Sequence, residues 1–544
     1  MAGAQAAVGA APAGVAPAAA GAQVTGGGQP NVVLIQTDDQ AYDDLYAKFR
    51  EPDGGERPVM PATLNHIGRR GITFSNHYVP YPTCCPARAA LLSGRYNRNN
   101  GVLGNVAPDG GWLAFRSLPI MHHNLAPWLQ DAGYRTIHIG KFLNQYGREK
   151  RPATLVPPGW TEWQTLATER SNRMFYGYRV NVNGEIRGPF GDPNHGNFSG
   201  VDPANCLRGV EPENPWCNHQ TDQVTRRAVD QVKVSAALDR PFYMQVDYIA
   251  PHGDHRPPIG PEPTPRTYGM ADHTPVPRTL SYNERDLSDK PRFIRERLPR
   301  LGANERRRMR VEYQRTLESL RDVDDGVREI MRALGRAGVL GRTYVIFTSD
   351  NGFFRGQHRL ARGKILPYEP SARVPLLIRG PGIKPGSVTR ELTAIIDLAP
   401  TFVRLAGARP TLPVDGRPLV RFWEDPDRRT RRPILLESFA GTGDLEPEER
   451  RQFSNSGAFA NYTGVRLGDY KLIRYETGEL ELYDLAEDPE EMHSRHRSRA
   501  YRSVRRFLLE ELERLERCSG KECRRRSGPL PYAGKPRAAL RWAG

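Results

Sequence analysis

Lysine is scarce in this chain. Of 78 basic residues only ten are lysine, against 62 acidic ones, so the net charge of +16 and the pI near 9.6 rest on arginine. Such a field attracts polyanions, whether nucleic acid, anionic lipid or acidic polysaccharide. No DNA- or RNA-binding motif accompanies it, so nucleic acid drops out, and heavy arginine use is equally the mark of a GC-rich genome. No run of 18 or more apolar residues occurs outside the N-terminus, which excludes a multi-span membrane protein. Hydrophobic residues at 38% and charged residues at 26% exclude wholesale disorder. No internal repeat is present. The first 29 residues carry no charge and almost no large apolar side chain. They have neither the basic start nor the apolar stretch of a secretory signal, and read as an export-signal remnant or a flexible linker.

Only six cysteines occur. Cys206 and Cys217 lie in a Pro/Asn-rich loop, and Cys518 and Cys523 close a short loop after the last helix. Two local disulfides in a secreted or cell-envelope protein account for them better than zinc, for which no C-x-x-C pair or His cluster exists. The 544 residues suit two to four domain-sized units, or one large α/β domain with an accessory. With 53 glycines and 47 prolines the chain has many turns and long loops.

Apolar runs and helical stripes alternate. Asn31–Gln36, Ile72–Asn76, Thr136–Ile139, Pro241–Ile249 and Tyr344–Phe347 read as strands. Pro61–Arg70, Leu125–Ala132 and Glu305–Arg336 read as helices, the last with Leu317, Leu320, Val323, Val327, Ile330, Met331 and Leu334 in a stripe. This alternation predicts an α/β sandwich with a largely parallel sheet. Beyond about residue 430 the pattern becomes short strands (Ala458–Tyr462, Tyr470–Tyr475, Leu480–Tyr483) and one amphipathic helix. The expected division is 1–29 outside the folded part, 30–430 main domain, 431–520 small α+β subdomain, and 521–544 basic tail.

Ligands of open α/β sheets gather at the carboxyl ends of strands. Asp38-Asp39, Gly140-Lys141, Pro251-His252 and Asp350-Asn351 all stand at such ends. Four oxygen side chains on two loops make a hard-cation site, where a single pair would merely cap turns. In Pro82-Thr-Cys-Cys-Pro-Ala-Arg-Ala-Ala-Leu-Leu-Ser-Gly-Arg-Tyr96, Pro86 suits a first helical turn and Ala87–Ser93 a helix. Cys84 then lies at a helix N-terminus, which favours an anion. By composition alone Cys84 and Cys85 read equally as buried thiols or disulfide partners.

Cys84-Cys-Pro-Ala-Arg88, followed by Leu-Leu-Ser-Gly-Arg95, resembles the C-x-P-x-R signature of type I sulfatases. Gly133-Tyr-Arg-Thr-Ile-His-Ile-Gly-Lys141 is similar to that family's second signature. The likeness continues through Asp38-Asp39, Ala250-Pro-His252, Ser349-Asp-Asn-Gly352, Gly363-Lys364, Tyr368-Glu369, Val374–Gly382, Ile396–Thr401, Glu481–Leu485 and Asp488-Pro489. It implies an alkaline-phosphatase-like sandwich, with a mixed, mainly parallel sheet between helices and a smaller C-terminal antiparallel sheet. It also implies oxidation of Cys84 to formylglycine by a formylglycine-generating enzyme. The hydrated aldehyde attacks sulfur through one oxygen and expels sulfate through the other, which a plain hydroxyl or thiolate could not do. Asp38, Asp39, Asp350 and Asn351, with position 84, would hold Ca²⁺, or alternatively Mg²⁺. Arg88 would orient the formylglycine, Lys141, Lys364 and His252 would surround the sulfate, and His252 would protonate the leaving alcohol.

Two positions depart from the family pattern. Ala87 replaces the usual Ser, and Leu143 stands where many members carry a His. That variant resembles the branch of N-acetylglucosamine-6-sulfatases and heparan 6-O-endosulfatases. His358 is a candidate for the missing base, or else a surface histidine. The expected activity is sulfate release from a sulfated sugar or polysaccharide. The alternatives are a phosphonate monoester or phosphodiester hydrolase on the same architecture, and a polyanion-binding protein with a retired site.

Overall fold

The computed structural model describes residues 28–147, 154–167, 174–191, 218–254, 260–439, 461–531 and 533. Residues 1–27, the Cys206/Cys217 pair, 458–460 of the expected strand, and 532 and 534–544 of the tail lie outside the described residues.

Ten strands form one mixed sheet. In chain order they are β1 (Asn31–Thr37), β2 (Ile72–Phe74), β3 (Arg135–Gly140), β4 (Glu162–Leu166), β5 (Tyr178–Val182), β6 (Glu185–Phe190), β7 (Phe242–Asp247), β8 (Thr343–Ser349), β9 (Leu376–Arg379) and β10 (Ser387–Thr389). Their order across the sheet is β10-β2-β9-β8-β1-β7-β3-β4-β5-β6. The stretch β8-β1-β7-β3-β4 is parallel throughout, while β9, β5 and β6 join antiparallel. Central strands are apolar on both faces because both faces are covered. Along β1, Val32 and Leu34 enter one core while Val33 and Ile35 enter the other.

On one face lie α2 (Gln220–Ala236) and α3 (Ala303–Arg336). The stripe expected on α3, Leu317 through Leu334, is buried there. On the other face lie α1 (Cys84–Ser93) and α4 (Leu398–Ala406). A separate four-stranded antiparallel sheet follows, β11 (Ile434–Ser438), β12 (Tyr462–Leu467), β13 (Tyr470–Tyr475) and β14 (Leu480–Asp484), backed by α5 (Arg502–Arg517). Its Leu435, Val465, Leu472 and Leu482, with Leu508 and Leu512 of α5, belong to the same apolar cluster as α1 and α4. The expected sandwich with its small antiparallel sheet is therefore present.

Differences from the sequence reading are local. Helix α1 begins at Cys84 rather than Ala87, so Pro86 is its third residue. Residues 61–68 are helical, but the second half widens into a π-turn. Cys518 and Cys523 form the expected disulfide. No helix among the described residues is long and apolar enough to cross a membrane.

Candidate active site

The parallel strands hand their ends to one another. Asp350 N–H donates to Thr37 O at 3.2 Å, Asp38 N–H to Ala250 O at 3.2 Å, and Lys141 N–H to Asp247 O at 2.9 Å. Those bonds gather the loops after β1, β3, β7 and β8 into one cluster. Gly140 makes the third bond possible: its φ is +103°, and a Cβ there would lie 1.9 Å from Asp247 O. Asp39 also adopts a left-handed φ of 67°, and its N–H donates to Asp350 Oδ1 at 3.3 Å.

Helix α1 aims its N-terminus at this cluster. Thr83 precedes it without capping through its side chain. Asn105 supplies the cap instead, its Oδ1 accepting from Cys85 N–H at 2.9 Å and its Nδ2 donating to Thr83 Oγ1 at 3.0 Å. Cys84 is buried, with Sγ 3.4 Å from Asp38 Oδ1 and 2.9 Å from Lys364 Nζ. Lys364 Nζ also donates to Asp39 Oδ1 at 2.5 Å. One turn along α1, Arg88 donates from Nε to Asp350 Oδ2 at 2.9 Å, from Nη2 to Asp38 Oδ2 at 3.1 Å and from Nη1 to Lys141 O at 2.9 Å. The Lys141 ammonium pairs with Asp38 Oδ2. His252 donates from Nδ1 to Gly253 O at 2.8 Å and places Nε2 3.8 Å from Asp39 Oδ2.

Burial raises the cost of charge here, and the surrounding cations decide which groups keep theirs. Burial would lift the Asp38 carboxyl, but Lys141, His252, Arg88 and Lys364 together hold it below the ordinary carboxylate range. Asp350 goes the other way, pushed up to about 7 by burial and by Asp38 beside it. Burial and Asp38 also push the Cys84 thiol up, against Lys141 and Lys364, so it is a poor thiolate. Burial lowers His252 to about 4.

The donor set suits a hard divalent cation. Asp38, Asp39 and Asp350 each offer a carboxylate oxygen, all within 4.8 Å of one another, as do Asp38, Cys84 and His252 with one ligand atom apiece. Asn351 donates from Nδ2 to Asp39 Oδ1 at 2.6 Å, and its buried Oδ1 has no hydrogen-bond partner, as a ligand oxygen awaiting a cation would.

Nine of the residues singled out from the sequence meet here: Asp38, Asp39, Cys84, Arg88, Lys141, His252, Asp350, Asn351 and Lys364. His358 does not. It is no surface histidine: it is buried, faces Glu284 Oε2 across 2.5 Å from Nδ1, and lies against the Tyr368 ring with centroids 4.5 Å apart. Leu143 is buried in the apolar core. Asp247, which the sequence reading passed over, stands 3.5 Å from Arg88 Nη1 and 3.0 Å from His138 Nε2. Its signal was an acidic residue ending an apolar strand, as at Asp38 and Asp350.

Comparisons with known proteins place the chain in a family. A family model described as Sulfatase matches residues 30–408, and one described as N-sulphoglucosamine sulphohydrolase, C-terminal, matches 356–518. An arylsulfatase of Volvox carteri is 32% identical over 536 residues, covering 91% of this chain and 76% of the relative. The N-acetylglucosamine-6-sulfatase of Homo sapiens is 29% identical over 523 residues, covering 91% and 86%. A solved structure in complex with its substrate D-glucosamine-2-N,6-O-disulfate shares the fold, with TM-score 0.67 at 21% identity over 91% of this chain and 98% of that one. The chain belongs to the sulfatase family and is a sulfatase enzyme.

Proposed function

We propose that this sulfatase releases inorganic sulfate from a sulfated sugar or polysaccharide of the N-acetylglucosamine-6-sulfate kind. The observation that carries the reading is the convergence on Cys84, at a helix N-terminus, of Lys364, Asp38 and a three-carboxylate cluster. The formylglycine made from Cys84 by a formylglycine-generating enzyme would supply the attacking oxygen and a second oxygen through which sulfate leaves. Asp38, Asp39, Asp350, Asn351 and position 84 would hold Ca²⁺, with Mg²⁺ as the alternative, and that cation would supply charge neutralisation at a sulfate oxygen.

The chain's own groups do the rest. Arg88 locks Asp38 and Asp350 in place through two of its nitrogens. Lys141 and Lys364 present ammonium groups to the sulfate and to the charge that grows during transfer. His252 is fixed by its Nδ1–H on Gly253 O, which leaves Nε2 as the atom that exchanges a proton with the leaving oxygen. The division into a catalytic domain (30–430), a small subdomain (431–520) and a basic tail is part of the same reading. So is export to an oxidising compartment, which the Cys518–Cys523 disulfide favours.

The decisive experiment is the mass of the tryptic peptide Gly71–Arg88 from protein made in its native host, paired with a sulfate/phosphate competition assay. Formylglycine at Cys84 with sulfate released faster than phosphate is the expected result. Faster phosphate release would bring the phosphonate and phosphodiester alternative to the front, and unmodified Cys84 would bring forward a metal-bound phosphoesterase or a polyanion-binding protein with a retired site.

A further inference from the structure

Eight of the ten lysines fall among the described residues, and four of these are buried: Lys141, Lys290, Lys364 and Lys471. Two of them belong to the group around Cys84. Neither Lys290 nor Lys471 has a part in the proposed chemistry. A buried ammonium is costly unless it is paired, so what each one grips is informative.

Both grip the segment that delivers Lys364, or the turn behind it. Lys471, on β13, donates to Pro367 O at 2.9 Å and pairs with Glu369 Oε1 and Glu491 Oε1 at 2.7 Å each. Lys290 donates to Glu491 O at 2.9 Å and Met492 O at 3.2 Å, steadying the same glutamate. Glu491 Oε2 accepts from Glu369 N–H at 2.8 Å. Tyr368 OH donates to Glu481 Oε1, on β14, at 3.0 Å. Tyr462, on β12, donates its hydroxyl to Ile365 O. On its other side Ile365 N–H donates to Pro82 O at 3.0 Å, which ties the segment to the residues just before Cys84.

The turn held this way is strained. Ile365 has φ +77°, a left-handed conformation that a β-branched residue almost never adopts. Such residues persist only where their surroundings over-determine them. The reversal occurs directly after Lys364, whose ammonium lies 2.9 Å from Cys84 Sγ.

We infer that Tyr462 and Lys471 are positioning residues: the small sheet clamps the strained turn at Ile365 and thereby fixes the Lys364 ammonium on position 84. The inference rests on reading Lys364 as a sulfate-facing cation, and the test separates the two. Full-length enzyme is assayed on 4-nitrophenyl sulfate, with formylglycine content at position 84 measured by mass and rates expressed per folded enzyme. Wild-type activity in Lys364→Ala sinks the reading of Lys364 itself. With Lys364→Ala impaired, Tyr462→Phe, which removes one hydroxyl, is expected to lower kcat about tenfold with KM within about twofold, because a small misplacement of a reacting group is enough. Its melting temperature and formylglycine content should match wild type. In the Lys364→Ala background Tyr462→Phe should cost nothing further, since the hydroxyl acts through that lysine. Unchanged kcat, or a loss that persists in the Lys364→Ala background, overturns the inference. If Tyr462→Phe does not fold, Lys471→Met is put through the same cycle and decides by the same two criteria.

Discussion

Asp38 receives the Lys141 ammonium, the Arg88 guanidinium and the Cys84 thiol, while Asp350 a few ångströms away shares Arg88 and is pushed up towards neutrality. Two buried carboxylates therefore share one guanidinium, and a divalent cation would let both ionise. Asp350→Asn keeps the shape and removes the charge. Its expected cost is about a hundredfold or more in turnover, with Arg88 still hydrogen-bonded and the fold intact. Steady-state kinetics beside a melting curve checks this, and full activity would show that Asp350 is no ligand. Chelation should lower both activity and melting temperature, and added Ca²⁺ should restore both, because a cation bound only by the folded state stabilises it by mass action. A separate acid effect comes from His77, which burial lowers from an ordinary value near 6.5 to about 3. A group whose folded value is depressed and whose neutral form is buried supports the fold above pH 6.5 and withdraws that support as pH falls towards 3. The melting temperature should fall steadily below pH 6.5, and His77→Gln should flatten part of that slope.

Among the elements, β3 and α1 carry the tightest constraints. β3 ends on Gly140, where both the left-handed φ and the approach of Asp247 O exclude a side chain. Gly140→Ala should force the β3–β7 ends apart, displace Lys141 and lower stability by about 2 kcal/mol or more. Denaturant unfolding reads that loss, and wild-type stability would mean the close approach is not required. The strands carrying the site were legible because a parallel strand covered on both faces is a continuous run of large apolar residues. The antiparallel strands β5 and β6 carry no such run, and only their pairing in the sheet defines them. The place of Cys84 at the N-terminus of α1 was legible, but its cap was hidden, because Asn105 comes from a loop 20 residues downstream of Cys85 rather than from the preceding residue.

Across the whole molecule the small sheet is not a separate unit in the physical sense. Its apolar face shares one continuous cluster with α1 and α4, and its Glu437 accepts from Asn97 N–H at 2.8 Å and from Arg98 Nε at 2.6 Å. Two regions that share a core unfold together. Tryptophan fluorescence and far-ultraviolet circular dichroism should report one coincident transition, and two separated ones would show that the sheet melts alone. The excess of arginine is spent partly in such contacts: Arg98, Arg432 and Arg466 are each bonded to the opposite part of the chain.

The sequence by itself determined the chemistry-bearing types and their order. The acid pairs, the Cys-x-Pro-x-Arg run and the two signature lysines follow from local pattern and from the family resemblance, and all of these residues assemble around Cys84. Tertiary structure alone decided what surrounds them. That His358 faces Glu284 and not Cys84, that Asp247 backs Arg88, and that the Lys364 turn is gripped by residues a hundred positions later are contacts between distant segments. No local pattern encodes them, because they exist only once two apolar faces have packed and brought those segments within hydrogen-bonding range.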